Sequence, residues 1–473
     1  MRAAGVILAA GAGSRFGGNK LQARIDGAPI LAHVLAAARG AGLAPILVVL
    51  DPAGARSAPA LGVRSDELVV NPEPARGLSS SLRLGLAAAG AAAPRVDAAV
   101  VLLGDQPLVR PATIRALVAA LDGAAAEIAV PVYGGAGGQN PVALRRVAFA
   151  LAEEADGDRG LGPLLAARPE LARRVPIESA NPDIDTRADL ARIAELAWAE
   201  RVRANRDQVD RVRESPDDAD FYASVSSIFR DDPGRTGDPV LDRLRAEARL
   251  DDTWLDIGAG AGRYALPIAR EVQRLIALDP SPSMLKALRE AMTAHAIANI
   301  TVVQGRWPED ASEVGLADVS FIAHVGYDVE AIGPFVDAME AATRRTCLAV
   351  LMERTPATMA APFWPPVHGE ERVSLPALPA FVDVLVARGR SPKVEIAEAT
   401  RRRWRSVDEL IAFLRKQLWT QPDSAKDVVM LDLVERWAAV ASDGSVELTV
   451  VEPLSIGVVA WAPTDGSIQA GER

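Results

Sequence analysis

Tryptophan is missing from the first 197 residues; all eight lie at Trp198 or later. So sharp a shift in a rare residue points to two modules of separate origin. Cysteine is nearly absent: Cys347, in the apolar run TCLAVLM, stands alone. That excludes a disulfide framework and a cysteine-rich zinc site, suits a reducing cytoplasm, and leaves Cys347 as a buried strand residue. No apolar run approaches the ~20 residues of a membrane span. The short N-terminal run reads as a buried first strand, not a signal segment. Positive charge is not in excess: 52 basic residues face 62 acidic ones, a net charge of −10. No global field recruits nucleic acid, although an anionic small molecule needs only a local basic cleft.

What is present is an ordinary soluble composition, 49% apolar and 24% charged. The 473 residues allow about two to three domains. Residues 1–197 read as a first module, 198–220 as a charged helical linker that breaks near SPDD (215–218), and 221–473 as a second module. In the first, GVILAA (5–10), PILVVL (45–50), DAAVVLLGD (97–105) and EIAVPVY (127–133) are too continuously apolar for a half-exposed sheet. Helical patterns alternate with them at 29–42, 79–90 and 111–123. The second module repeats the alternation: strands at 253–260, 274–280, 300–305, 317–325 and 347–354, with a helix at 281–296. Both modules therefore read as α/β, three-layer and Rossmann-like, with ligands at the carboxyl ends of the strands. Residues 357–445 read as a helical cap, with helices at 405–419 and 426–440. Trp364, Trp404 and Trp419 are available to line a pocket there or to fill its core. SVELTVV (445–451) and SIGVVAWAP (455–463) read as an antiparallel pair.

The first strand runs into LAAGAGSRFGGNK (8–20), a loop whose backbone can approach an anion. It is not a P-loop. Gly13 and Gly18 have the spacing, but Asn19 follows, Lys20 comes one residue late, and Leu21 stands where a metal-binding hydroxyl belongs. Nor is it a dinucleotide fingerprint, because Phe16 occupies the third glycine position. LLGDQP (102–107) places Asp105 at the end of a strand, a natural ligand for a hard cation or, alternatively, a turn aspartate.

LAAG, Ser14-Arg15, Lys20, GDQP, NPEPARGLSSSL (71–82), QNPVALRR (139–146), EADGDRGLGPLL (154–165) and NPDIDTRADL (181–190) occur in order. This set resembles the molybdenum cofactor cytidylyltransferases and their near relatives, over roughly residues 3–195. The resemblance implies that Leu8, Ala9, Ala10, Gly11, Gly13 and Ser14 wrap the nucleotide. Arg15 and Lys20 would neutralise its phosphates, and Asp105 and Asp185 would hold Mg2+. Asn71, Gly77, Ser79, Ser80 and Ser81 would lie near the base, ribose or acceptor, and Gly157, Asp158 and Gly160 would face the acceptor. Asp185 could instead cap the helix carrying Asp189. Ala10 favours CTP over GTP by the same resemblance, since guanylyl-transferring relatives tend to have glycine there. Gln139-Asn140-Pro141 departs from the Gly-His-Pro common among relatives and leaves the acceptor open. The implied reaction is attack of a phosphate, that of molybdopterin, on the α-phosphorus of CTP with loss of pyrophosphate.

In the second module, WLDIGAGAGRY (254–264) places Asp256 before Gly258, Gly260 and Gly262, and Arg263 rules out a dinucleotide fingerprint. With Asp279 ending the next strand and Met284 in SPSML, it resembles the class I methyltransferases over about residues 220–463. That implies S-adenosylmethionine as cofactor, with Gln304, Gly305, Arg306 and Trp307 flanking its adenine. His324, just past the fourth strand, reads either as a general base or as a packing histidine. Tyr327 is a similar case, and His33, His295 and His368 are assigned no chemistry. The expected partners are small molecules, with molybdoenzymes or their chaperones as further candidates, and neither nucleic acid nor membrane.

Overall fold

The computed structural model describes residues 1–11, 13–122, 126–135, 137–214 and 232–464. The chain divides into two compact units, Met1–Ala194 and Glu195–Arg473.

Seven strands form the sheet of unit 1: β1 (Ala3–Leu8), β2 (Ile46–Leu50), β3 (Leu68–Val70), β4 (Ala98–Leu103), β5 (Ile128–Tyr133), β6 (Val142–Arg145) and β7 (Ala172–Ile177). Their order is β3-β2-β1-β4-β6-β5-β7. β1 is parallel to β2 and β4, while β6 runs antiparallel to both its neighbours. Every residue of β1 is buried, but alternate side chains enter different cores. Ile7 packs with Leu35, Val48 and Ile114, and Val6 with Leu82, Val49 and Leu144. A strand covered on both faces needs such an unbroken apolar run. Because β1 and β4 are neighbours, the glycine loop and Asp105 leave the sheet side by side, tied by Gly104 N donating to Leu8 O at 2.9 Å. Ala9 N donates to Val49 O at 2.9 Å and holds the other side.

Unit 2 contains β8 (Thr253–Ile257), β9 (Arg274–Asp279), β10 (Ile300–Gln304), β11 (Ala317–Ala323), β12 (Thr343–Met352), β13 (Lys393–Thr400) and β14 (Leu454–Trp461). Their order is β10-β9-β8-β11-β12-β14-β13. The first five are parallel, and β14 is antiparallel to both its neighbours. The chain leaves β8 for β9 on one side and reaches β11 on the other. A crevice therefore opens at the carboxyl ends of β8 and β11.

Three features differ from the sequence reading. First, residues 445–451 and 455–463 do not pair with each other. Val446–Leu448 pairs with Ala438–Val440, while β14 lies between β12 and β13. The run of β14 is apolar on both faces, as an interior strand must be. Second, β13 falls inside the stretch read as cap. Its KVEIAEAT pattern alternates charged and apolar residues, which suits an edge strand. The cap is thus made of two pieces that share a core around Trp364, Trp404, Leu414 and Leu433. Third, residues 198–212 are not a solvated linker. They continue the helix Arg187–Val212, and Trp198, Val202, Asn205, Val209 and Val212 are buried. Recurrence at three or four residues makes a narrow helical stripe. Polar members of that face bind unit 2 backbone: Trp198 Nε1 donates to Val329 O, and Gln208 accepts from Val373 N and donates to Glu371 O. SPDD lies outside the described residues.

Candidate functional site

In unit 1 the loop after β1 is anchored by its odd residue. Phe16 is buried, its N donates to Gly13 O, and the Arg187 guanidinium lies 4.3 Å from its ring centroid. The residue that breaks the dinucleotide pattern therefore pins the loop. Leu8, Ala9 and Ala10 are buried, and Gly11 is exposed at the mouth. The side chain of Ser14 lies outside the described residues.

Lys20 Nζ is 2.6 Å from Asp105 Oδ2 and 3.5 Å from Asp185 Oδ1. Arg15 Nη1 is 3.4 Å from Asp185 Oδ2. Three segments separated by as many as 170 residues thus converge on one cation–carboxylate cluster. Ile184 N donates to Asp105 O at 3.2 Å and fixes the two acidic segments together. Asp185 is not the helix cap. Asp189 accepts from Thr186 N and Asp185 N, and its own N donates to the Thr186 hydroxyl. That reciprocal cap leaves the Asp185 carboxylate to Lys20 and Arg15.

Asp183, two residues earlier, escaped the sequence reading. It accepts from Gln106 Nε2 at 2.6 Å, and Gln106 in turn exchanges hydrogen bonds with buried Asn181. Burial, reinforced by the charge of Asp105, pushes the Asp183 carboxyl above its ordinary range. The available signal was the spacing to Asp185 in NPDID, which puts two carboxylates on one side of an extended segment.

Asn71, Ser79 and Ser80 are buried and face inward. Asn71 Nδ2 donates to Ser80 Oγ and Ser81 Oγ, both at 2.9 Å, and its Oδ1 accepts from Glu73 N. Ser79 is buried. Gly77 has φ 85°, and a Cβ there would lie 2.6 Å from the Gly157 carbonyl carbon. The 77 and 157–160 loops can therefore touch only through glycine. Beside them a cavity of about 220 Å3 is lined by Leu8, Leu78, Leu82, Asn140, Gly160 and Leu161, among others. Asn140 is held there through its carbonyl by the Tyr133 hydroxyl at 2.9 Å, and burial pushes that phenol up to about 12.

In unit 2 the glycine loop closes against its own fold. Gly258 has φ 77°, and a Cβ there would stand 2.4 Å from Val325 Cγ2. Gly260 N donates to Asp279 Oδ2 and Ser281 N to Asp279 Oδ1, both at 2.8 Å. Gly262 N bonds to Ala259 O. Asp256 is buried with Oδ1 unpartnered among the described residues. Burial, then the charge of Asp279, pushes its carboxyl well above the usual range. Met284 is buried and its N donates to Ser281 Oγ. Gln304 is exposed, Gly305 N donates to Asp279 O at 3.2 Å, and Arg306 N donates to Asp310. Trp307 faces the core, with Nε1 donating to Phe335 O.

His324 adopts φ 58°, a conformation uncommon for any residue but glycine and a mark of a constrained position. Its Nδ1 is 3.4 Å from the Tyr327 hydroxyl, which accepts from Met352 N. Burial lowers His324 to about 4, with the charges of Arg263 and Arg402 adding to the shift. The imidazole is therefore neutral at neutral pH. Trp364 and Trp404 fill the cap core. Cys347 is buried in β12, as expected of it, with its thiol pushed up to about 12 by burial.

A lysine and two aspartates at the mouth of a glycine loop define a nucleotidyl-transferring α/β domain; the second sheet, with its lone antiparallel strand next to the edge, is that of a class I methyltransferase. The chain carries a MobA-like NTP transferase domain, matched over residues 5–173, and a methyltransferase domain, matched over residues 255–344. Among curated relatives, a probable cobalt-precorrin-6B C(15)-methyltransferase (decarboxylating) of Methanothermobacter thermautotrophicus is 26% identical over 125 residues. That match takes in 26% of this chain and 65% of the relative. An uncharacterised Haemophilus influenzae protein is 33% identical over 71 residues, 15% of this chain and 26% of its own length. Among solved structures, Rv0371c of Mycobacterium tuberculosis is 32% identical, with a TM-score of 0.37, over 41% of this chain and 98% of that one. A nucleotidyl transferase of Methanothermobacter is 25% identical, with a TM-score of 0.35, over 41% and 97%. Among the described residues, no helix is long and apolar enough to cross a membrane.

Proposed function

We propose that the chain is a bifunctional transferase: unit 1 moves CMP from CTP to the phosphate of molybdenum cofactor, and unit 2 moves a methyl group from S-adenosylmethionine to a small acceptor. The observation that carries the first half is Lys20 held between Asp105 and Asp185. An ammonium held between two carboxylates is fixed in place, ready to meet an anionic phosphate. In the transfer, an acceptor phosphate oxygen bonds to the α-phosphorus as the bond to pyrophosphate breaks. The acceptor phosphate is already ionised, so no general base is needed. Lys20 and Arg15 disperse the charge gathered between two anions, and the backbone of the glycine loop orients the leaving group.

Asp105 and Asp185 also suit Mg2+, which takes oxygen donors and commonly binds one or two carboxylates together with substrate phosphates. When bound, the ion would supply further charge neutralisation on the phosphates. Among the described residues no cluster of three or more His, Cys, Asp or Glu could hold a metal. The nucleotide would therefore have to complete the site. In unit 2, S-adenosylmethionine would supply an electrophilic methyl group. In this reading the open face of Gly260 and the Asp279 carboxylate would receive its amino-acid and ribose parts. Methyl transfer needs chiefly proximity and orientation, which a closed loop provides.

The test uses the full chain. Each NTP is offered with molybdenum cofactor and pyrophosphate is followed. CTP-dependent release supports the reading, GTP-dependent release replaces the base, and release only with other phosphorylated acceptors replaces the acceptor. S-adenosylhomocysteine formation with candidate acceptors separates a working methyltransferase from a cofactor sensor.

A further inference from the structure

The two acids that hold Lys20 come from distant segments, and a buried amide ties those segments together. Asp185 belongs to a connection, residues 182–185, that lies outside any helix or strand. Where its carboxylate stands therefore depends on what the connection is bonded to. Gln106, the neighbour of Asp105, is 2% exposed. Its Nε2 donates to Asp183 Oδ1 at 2.6 Å and to Asn181 O at 3.3 Å. Its Oε1 accepts from Asn181 Nδ2 at 3.1 Å. Ile184 N adds its bond to Asp105 O. Residues 181, 183 and 184 are thus each tied to the Asp105–Gln106 corner. On the far side, Asp185 N donates to Asp189 Oδ2 at 3.2 Å. A primary amide meets these demands in full, with two N–H donors for two oxygens and one acceptor for an N–H. A carboxylate at 106 would face Asp183 with no proton to offer. A thioether there would leave the buried Asn181 amide and the Asp183 carboxylate without this partner.

We propose that Gln106 is a positioning residue of unit 1: through Asn181 and Asp183 it holds the Asp185 carboxylate opposite Asp105 and Lys20, so that a metal–nucleotide complex meets two acids already in place. This rests on reading unit 1 as a metal-assisted nucleotidyltransferase. Gln106 acts through the acids and touches neither metal nor substrate. Partners of this kind, which orient the groups that bind a metal, are typically worth about 10- to 100-fold in metal affinity.

The full chain is titrated with Mn2+, a paramagnetic stand-in for Mg2+, in the presence of α,β-methylene CTP and, in parallel, α,β-methylene GTP. Neither analogue can transfer its nucleotidyl group. Bound metal is read by electron paramagnetic resonance, and binding of the analogues without metal by calorimetry. Gln106→Met, similar in size but without the amide, should weaken Mn2+ by about tenfold or more. It should leave metal-free analogue binding unchanged, whereas a merely structural role would lower both together. Gln106→Glu should weaken Mn2+ as well, and adding Asp183→Asn should recover part of that loss, because the new amide can donate back to the carboxylate. Unchanged Mn2+ affinity in Gln106→Met, equal losses with and without metal, or no recovery in the double variant overturns the proposal. Should Gln106→Met fail to fold, Gln106→Glu with and without Asp183→Asn decides. Failure of the unaltered chain to bind Mn2+ with either analogue removes the metal-assisted reading instead. Gln106 is then judged by hydrogen exchange: the Ile184 and Asp185 amides should exchange about tenfold faster in Gln106→Met, and unchanged exchange overturns its role.

Discussion

Both units place a glycine-rich loop after a central strand, yet the two loops are built on opposite principles. In unit 1 the loop is held by one buried aromatic, Phe16, and a Cβ at Gly11, Gly17 or Gly18 would meet nothing within 4 Å. Beside it stands a local ion-pair cluster, with Lys20 and Arg15 set against carboxylates. In unit 2 the loop is packed on Val325 at Gly258, and two acids stand beside it: Asp256, buried with Oδ1 unpartnered among the described residues, and Asp279, bonded to the Gly260 amide. One loop is open and flanked by paired cations and carboxylates. The other is packed against its own fold at Gly258 and Gly262, with an acid bonded to the Gly260 amide. A glycine-rich loop after a strand thus differs in character between the units, decided by what stands beside it.

The sharpest way to break the comparison is Lys20→Ala. If the cation works on developing charge, pyrophosphate release should fall by on the order of 10²- to 10³-fold. Stability of unit 1 should shift by only about 1 kcal/mol, as for exposed or half-buried ion pairs. S-adenosylhomocysteine formation should be untouched. Pyrophosphate release at the unaltered rate would remove Lys20 from the reaction.

Next come the glycines themselves. Gly258→Ala combines a positive φ with a contact that Val325 must yield, and should destabilise unit 2 by about 3 kcal/mol. Gly11→Ala meets no atom within 4 Å and should leave unit 1 within about 0.5 kcal/mol while weakening nucleotide binding. All eight tryptophans lie in unit 2, so indole fluorescence during denaturation follows that unit alone. Equal stability losses for the two variants would end the distinction between open and closed loops.

Acid should separate the units less steeply. His324 and His368 of unit 2 are both lowered to about 4, chiefly by burial. The unfolded chain takes up these protons near the ordinary histidine value of ~6.5, while the folded chain resists until about 4. Their contribution is therefore present above that ordinary value and is lost as pH falls toward 4. Asp256 opposes them: its carboxyl is raised, so its contribution is present at low pH and fades as pH rises. The two histidines weaken unit 2 as pH falls toward 4, and the lowered carboxyls Asp238, Glu340 and Asp427 continue that loss below the ordinary carboxyl value. In unit 1 the raised Asp183 acts in the direction of Asp256. Asp256→Asn should steepen the slope followed by tryptophan fluorescence, and a flatter slope would contradict the signs given.

Much of this was legible in the sequence. The doubly covered strands announce themselves because burial on both faces demands unbroken apolar runs, as in β1, β4 and β14. The glycine loops and Asp105 are local patterns. What stayed hidden depends on long-range pairing. β3 and β6 are too short to show a period, and β7 and β13 carry charges because they lie at sheet edges. The stripe of residues 198–212 was masked by polar side chains, Asn205 and Gln208, which are buried because unit 2 backbone satisfies them. Asp183 gains its meaning only from Gln106, 77 residues away.

The smallest effect concerns the base accepted by the open loop. Ala10 is buried at 7% exposure and ends the apolar continuation of β1 at the point where the loop opens. Removing its methyl group gives up burial worth about 0.8 kcal/mol. Room for a larger ring is gained only if the base lies against that position. Ala10→Gly should therefore move the ratio of kcat/KM for CTP over GTP toward GTP by about tenfold, the range that one methyl group can discriminate. On the proposed reading the cations Lys20 and Arg15 act on phosphates common to both nucleotides, so kcat with CTP should change little. A CTP preference unmoved by Ala10→Gly would place the base elsewhere and leave Lys20, Asp105 and Asp185 as a phosphate site whose selectivity lies in other walls.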